Sequence, residues 1–150
     1  MSVNSNKSRV SDGSHIVLPL GVFGVVAAQA AFKQLSGEIV HLQGMTSEDE
    51  RADIARYLRS GAMVFAFMEY TRDVVRDAFG VSGGSAICTD GTFYWRLDSA
   101  DYVERYRTGL PEEFMRHGRK LQWRAPVVSP EDVLSIDSYL LEHAVHLRVP

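Results

Sequence analysis

The stretch Gly83-Gly84-Ser85-Ala86-Ile87-Cys88-Thr89-Asp90-Gly91-Thr92-Phe93-Tyr94-Trp95-Arg96-Leu97 decides how the rest of the chain reads. Asp-Gly between two β-rich runs is the strongest short-range hairpin signal a sequence carries. A two-residue turn predicts that Thr89 faces Thr92, Cys88 faces Phe93, Ile87 faces Tyr94, Ala86 faces Trp95 and Ser85 faces Arg96. Alternation then gives one wholly apolar face, Cys88, Phe93, Ala86, Trp95 and Leu97. The other face carries Thr89, Thr92, Ser85 and Arg96 around Ile87 and Tyr94, and is expected to be partly wet.

Working outward, Ala62 to Met68 is a continuous apolar run, short enough for a strand covered on both faces, and is the expected central strand. Glu69 to Phe79 reads either as one helical face (Tyr70, Val74, Ala78) or as an irregular connection. Upstream, Ser47 with Glu50 forms a capping box for a helix over Ser47 to Ser60, whose inward side chains are Ile54, Ala55, Tyr57 and Leu58. Downstream, Asp98 or Ser99 caps a helix facing inward through Tyr102, Val103 and Tyr106, closed by Gly109. Leu110-Pro111-Glu112-Glu113 starts another, with Phe114 and Met115 as anchors and Gly118 as its stop. The last helix spans Pro130 to Leu147 on a stripe of Val133, Ile136, Leu140, Ala144 and Leu147.

At the other end, residues 1–14 lack apolar periodicity and are expected to be a mobile tail. Ile16-Val17-Leu18 predicts a short strand stopped by Pro19, followed by a helix from Phe23 to Leu35 and another strand over Glu38 to Leu42. The apolar stretch from Ile16 to Phe32 imitates a secretory signal, but Asp12, His15 and Pro19 interrupt it, which favours a buried strand and helix. It is also too short and too broken for a membrane span. The fold class expected is α+β: a single domain over residues 15–150 with a mainly antiparallel sheet and helices mostly on one face.

A length of 150 residues with 45% hydrophobic content suits one domain. The net charge of −3 argues against general phosphate neutralisation, hence against direct nucleic-acid binding, and suits a neutral or basic partner. Cys88, the single cysteine, excludes an internal disulfide and fits a reducing compartment, so a cytoplasmic location is expected.

No motif for chemistry assembles. His143 and His146 lack the companions of a metal site, Ser82 and Ser85 lack a nucleophile elbow, and Gly21 and Gly24 lack the Lys-Ser/Thr pair of a phosphate loop. Asp90 is explained by its turn. Arg116, Arg119, Lys120 and Arg124 around Trp123 read as helix-end cations and a surface of long stems. No catalytic residue, metal ligand or cofactor is therefore assigned. What remains is a surface: Thr92, Tyr94 and Arg96 on the wet hairpin face, bordered by Asp98, Asp101, Glu104, Glu112 and Glu113, expected to steer and hold a basic protein.

The order of elements through Tyr57-Leu58-Arg59-Ser60-Gly61, Phe67-Met68-Glu69-Tyr70-Thr71-Arg72-Asp73, the hairpin, and Tyr102 to Leu110-Pro111-Glu112-Glu113-Phe114 resembles small bacterial proteins, some of them immunity proteins encoded beside polymorphic or contact-dependent growth-inhibition toxins. The run from Leu110-Pro111 to Gly118 is similar to a motif of the SUKH immunity superfamily, where it stands near the N-terminus. The resemblance covers residues 57–114 and implies a cytoplasmic, non-catalytic α+β domain that binds the C-terminal domain of a cognate toxin, often a nuclease. The alternative expectation is a small enzyme or a regulatory small-molecule domain, whose pocket shows no motif.

Overall fold

The structure, a computed structural model, describes residues 15–143. The tail expected over residues 1–14, and Ala144, His146 and Leu147 at the other end, lie outside the described residues. In chain order the regular elements are β1 (Leu18–Pro19), a 3-10 turn (Gly21–Phe23), α1 (Gln29–Phe32), a second 3-10 turn (Lys33–Leu35) and α2 (Ser36–His41). Then come α3 (Glu48–Arg59), β2 (Ala62–Phe65), β3 (Tyr70–Arg72), β4 (Gly80–Ser82), β5 (Ile87–Thr89) and β6 (Phe93–Arg96). The chain continues through α4 (Ser99–Tyr106), α5 (Glu112–Lys120) and α6 (Pro130–His143). This is an α+β domain whose main sheet, ordered β1-β6-β5-β2, is antiparallel except for the β1–β6 pair.

The β5–β6 pair forms with a wider turn than Asp-Gly alone predicts. Ile87 is opposite Arg96, Cys88 opposite Trp95 and Thr89 opposite Tyr94, a slip of two residues. The Asp90 carboxylate is the reason: its Oδ1 accepts from the backbone N–H of Thr92 and of Phe93, at 2.9 and 2.8 Å. Only Gly91 in this turn takes a positive φ, +96°. A two-residue slip keeps every side chain on its predicted face. Cys88, Phe93 and Trp95 accordingly pack with α3, α4 and α5, while Ile87 and Tyr94 pack with Val17, Val26 and the Ile136 and Leu140 stripe of α6.

Coverage of that second face is the main correction to the hairpin. It is not wet: Tyr94, Arg96 and Thr89 are buried beneath α6 and the segment preceding α1. Ala62 to Met68 is likewise neither central nor fully covered. Only Ala62–Phe65 is strand, and it forms the sheet edge, with Met63 half exposed and Met68 fully so. β1 takes the opposite edge, where Leu18 N–H and Leu20 N–H donate to the carbonyls of Thr92 and Tyr94. Pro19 between them needs no donor, which is why a sheet edge accepts it.

Three further expectations change. The helix expected from Phe23 begins only at Gln29, and Glu38 to Leu42, expected as a strand, lies mostly in α2, burying Ile39 while Val40 stays exposed. Glu69 to Phe79 is neither helix nor irregular link throughout, since β3 pairs with β4 in a small ribbon. Asp73 builds the ribbon's turn by accepting from the N–H groups of Val75 and Ala78 and from the Tyr106 hydroxyl.

The helix ends also differ in cause. α4 ends at Tyr106 with Arg107 left-handed, before Gly109. Gly118 does not stop α5; it lies inside the helix, where a Cβ would stand 1.9 Å from the Trp123 ring. The chain turns two residues beyond the helix instead, with Gln122 and Trp123 both at φ +55°.

Candidate functional site

Two loops laced together by backbone hydrogen bonds wall a concave surface. Gly44 N–H donates to the Tyr106 carbonyl at 2.8 Å, Thr46 N–H to Arg107 at 2.9 Å, and Gly109 N–H to Leu42 at 2.8 Å. The Thr46 hydroxyl adds a bond to the Thr108 carbonyl at 2.8 Å. Saturated in this way, the pair of loops is a stiff wall joining the end of α2 to the start of α5. Between this wall and the 3-10 turn at Gly21–Phe23 lies a groove of about 540 Å³.

Its lining is mostly apolar. Leu20, Phe23 and Met115 are buried at the floor, and Leu42, Met45 and Leu110 form the sides. Met45, 68% exposed, makes the groove open to solvent, and methionine side chains adapt readily to an occupant's shape. Glu38 from α2 and Glu112 from the first turn of α5 are exposed carboxylates on the lining. Glu38 makes no ion pair among the described residues.

Arg119 is the one cation on the lining, and it is already engaged. Its Nε and Nη2 donate to the two Glu50 carboxylate oxygens at 2.9 and 2.8 Å. Glu50 also accepts from Trp123 Nε1 and from the Ser47 hydroxyl, both at 3.3 Å, while Ser47 Oγ caps α3 by accepting the Glu50 N–H. The Arg119 hydrogen bonds, against a partial desolvation cost, hold the Glu50 pKa down at about 2. One carboxylate thus ties α3, α5 and the turn after α5 into a fixed side of the groove.

The residues expected to bind a partner are distributed differently. Thr92 is exposed in the hairpin turn, but Tyr94, Arg96 and Asp98 are buried. Arg96 donates Nε and Nη2 to the two Asp98 oxygens at 3.0 and 2.9 Å, and Nη1 to the Ala27 carbonyl at 3.0 Å. Its guanidinium lies 3.7 Å from the centroid of the Phe32 ring, and Thr71 Oγ1 donates to Asp98 at 3.0 Å. These contacts make an internal cross-link between sheet, ribbon and α1, with neither residue left for a partner. Asp101 and Glu104 share the Arg59 guanidinium, at 3.1 and 2.7 Å, so their charge is partly neutralised by α3. Glu112 and Glu113 are exposed on α5, and of the eight candidates only Glu112 lines the groove.

The groove escaped the sequence because its lining comes from separate chain segments, none of which is a motif. The one local signal is Met45, a large apolar side chain isolated in the polar run Gln43-Gly44-Met45-Thr46-Ser47.

Other reactive groups are structurally committed. Asp90 Oδ2 receives the Tyr57 hydroxyl at 2.5 Å and His117 Nε2 at 3.0 Å. Burial works to raise the Asp90 pKa, but hydrogen bonds from His117, the Phe93 and Thr92 amides and Tyr57 outweigh it, holding the carboxylate below its ordinary range. Burial pushes the Cys88 thiol up to about 11, far from a reactive thiolate. His143 stacks on Tyr139, and no group of three or more His, Cys, Asp or Glu among the described residues converges as metal ligands. Nor is any helix among the described residues long and apolar enough to cross a membrane.

Comparison with protein-family models, with curated proteins and with solved structures finds no match to this chain.

Proposed function

We propose that this chain is a non-catalytic protein-binding domain that seats a segment of its partner in the groove between the Gly21–Phe23 turn, the 42–46 loop and the start of α5. The observation carrying this reading is the groove itself: an open, mostly apolar lining of about 540 Å³, with no activated nucleophile or metal cluster beside it among the described residues. An exposed methionine beside buried apolar floor residues fits the anchor pockets through which protein interfaces gain most of their affinity. In its finer form the reading is an immunity protein occupying a cognate bacterial toxin domain, as the resemblance over residues 57–114 implies. A small-molecule-binding role is favoured by one observation, a volume within the roughly 300–1,000 Å³ usual for such sites.

The test is affinity capture from cells that express the chain natively, with the wild type and Met45→Arg compared. Met45 is mostly exposed, so the substitution blocks the groove without unfolding its floor. The proposal expects a single protein in stoichiometric complex with the wild type and its loss with the variant. Neutralisation of that protein's toxicity on co-expression tests the finer form. Capture unaffected by Met45→Arg contradicts the groove as the site.

A further inference from the structure

We infer that the segment entering the groove presents a bulky apolar side chain with a lysine or arginine beside it, read by Glu38 and Glu112. The inference rests on the proposed protein-binding function and specifies the partner chemistry. Three observations carry it. The floor of Leu20, Phe23 and Met115 offers an occupant apolar contact and no polar partner. The two carboxylates on the lining come from different helices, α2 and α5, and both are exposed. Arg119, the one cation on the lining among the described residues, spends its hydrogen-bonding fork on Glu50 and reaches Glu112 only through space.

An occupant with an acidic flank is repelled by both carboxylates, and one with a neutral flank gains no attraction from them. A cationic flank is attracted by both, and beside an apolar lining that attraction is less screened than on an open surface. Apolar contact then supplies the anchor and charge supplies the choice among anchors.

The experiment uses the whole chain, isotopically labelled, and three acetylated and amidated heptapeptides with a central phenylalanine flanked by lysine, serine or glutamate. Amide resonances of Met45, Gly109, Leu110 and Met115 are followed by NMR during titration, with hexylamine as a small-molecule control. The lysine peptide is expected to shift these resonances at the lowest concentration, and Glu38→Gln with Glu112→Gln to weaken it about tenfold with folding unchanged. Equal binding of the glutamate or serine peptide overturns the charge inference while leaving the groove as a protein-binding site. Equal response to hexylamine overturns the protein-segment reading as well, and so does failure of every peptide to move groove resonances.

Discussion

Glu50 on α3 and Arg119 on α5 are joined by two parallel hydrogen bonds of 2.9 and 2.8 Å, and Trp123 donates its indole N–H to the same carboxylate. This arrangement holds together one side of the groove. It has a defined pH signature. The Glu50 pKa falls from 4.5 to about 2 on folding, so its contribution is fully present above pH 4.5 and is lost as the pH drops toward 2. With Arg119 about half exposed, solvent screening limits that contribution to about 1 kcal/mol. Glu50→Gln is expected to lower stability by about that amount at neutral pH. Wild type and variant should converge near pH 2, and denaturant melts across that range provide the check. A constant difference at every pH contradicts the ion pair as its source.

Gly118 and Gly37 are both helical glycines, and the structure predicts opposite signs for alanine at them. At Gly118 a Cβ meets the Trp123 ring at 1.9 Å, so Gly118→Ala displaces the indole and destabilises by about 2–3 kcal/mol. At Gly37 nothing lies within 4 Å of the added Cβ, and Gly37→Ala stabilises by about 0.5–1 kcal/mol. Thermal melts of the two variants decide the sign, and a changed tryptophan emission in Gly118→Ala reports the displaced indole.

Asp98 and Asp101 separate into an internal and a surface carboxylate. Asp98→Lys sets a second cation against buried Arg96 and should cost more than about 3 kcal/mol, unfolding much of the population. Asp101→Lys removes one of two partners from Arg59 and sets a like charge beside it, but at a partly exposed, solvent-screened site, and should cost about 1 kcal/mol. Equilibrium unfolding of the single variants tests this, and equal costs would contradict the burial of the Arg96–Asp98 pair.

These contrasts show where the sequence was legible. The Ser47 N-cap, the two faces of the hairpin and the Ile136 and Leu140 stripe are legible because each depends on local spacing. The burial of Arg96 was not: a charged residue on a strand reads as exposed unless its partners are known. One partner, Asp98, is only two positions on, but Ala27 and Phe32 reach Arg96, and Thr71 reaches Asp98, only through tertiary folding. Gly118 departs from its sequence expectation for a related reason. A helical glycine looks like a stop, and only the return of Trp123 over it supplies the other explanation. Of the expected partner surface, Glu112 alone lines the groove, because the groove is assembled from segments far apart in sequence.

The most direct test of the central claim is hydrogen–deuterium exchange on the captured complex against the free chain. The groove account predicts added protection in residues 20–23, 42–47 and 109–115 on complex formation. Protection confined to other surfaces, such as the β2 edge around Met63 or the outer face of α6 at Leu134 and Leu141, with those three segments unchanged, would contradict it.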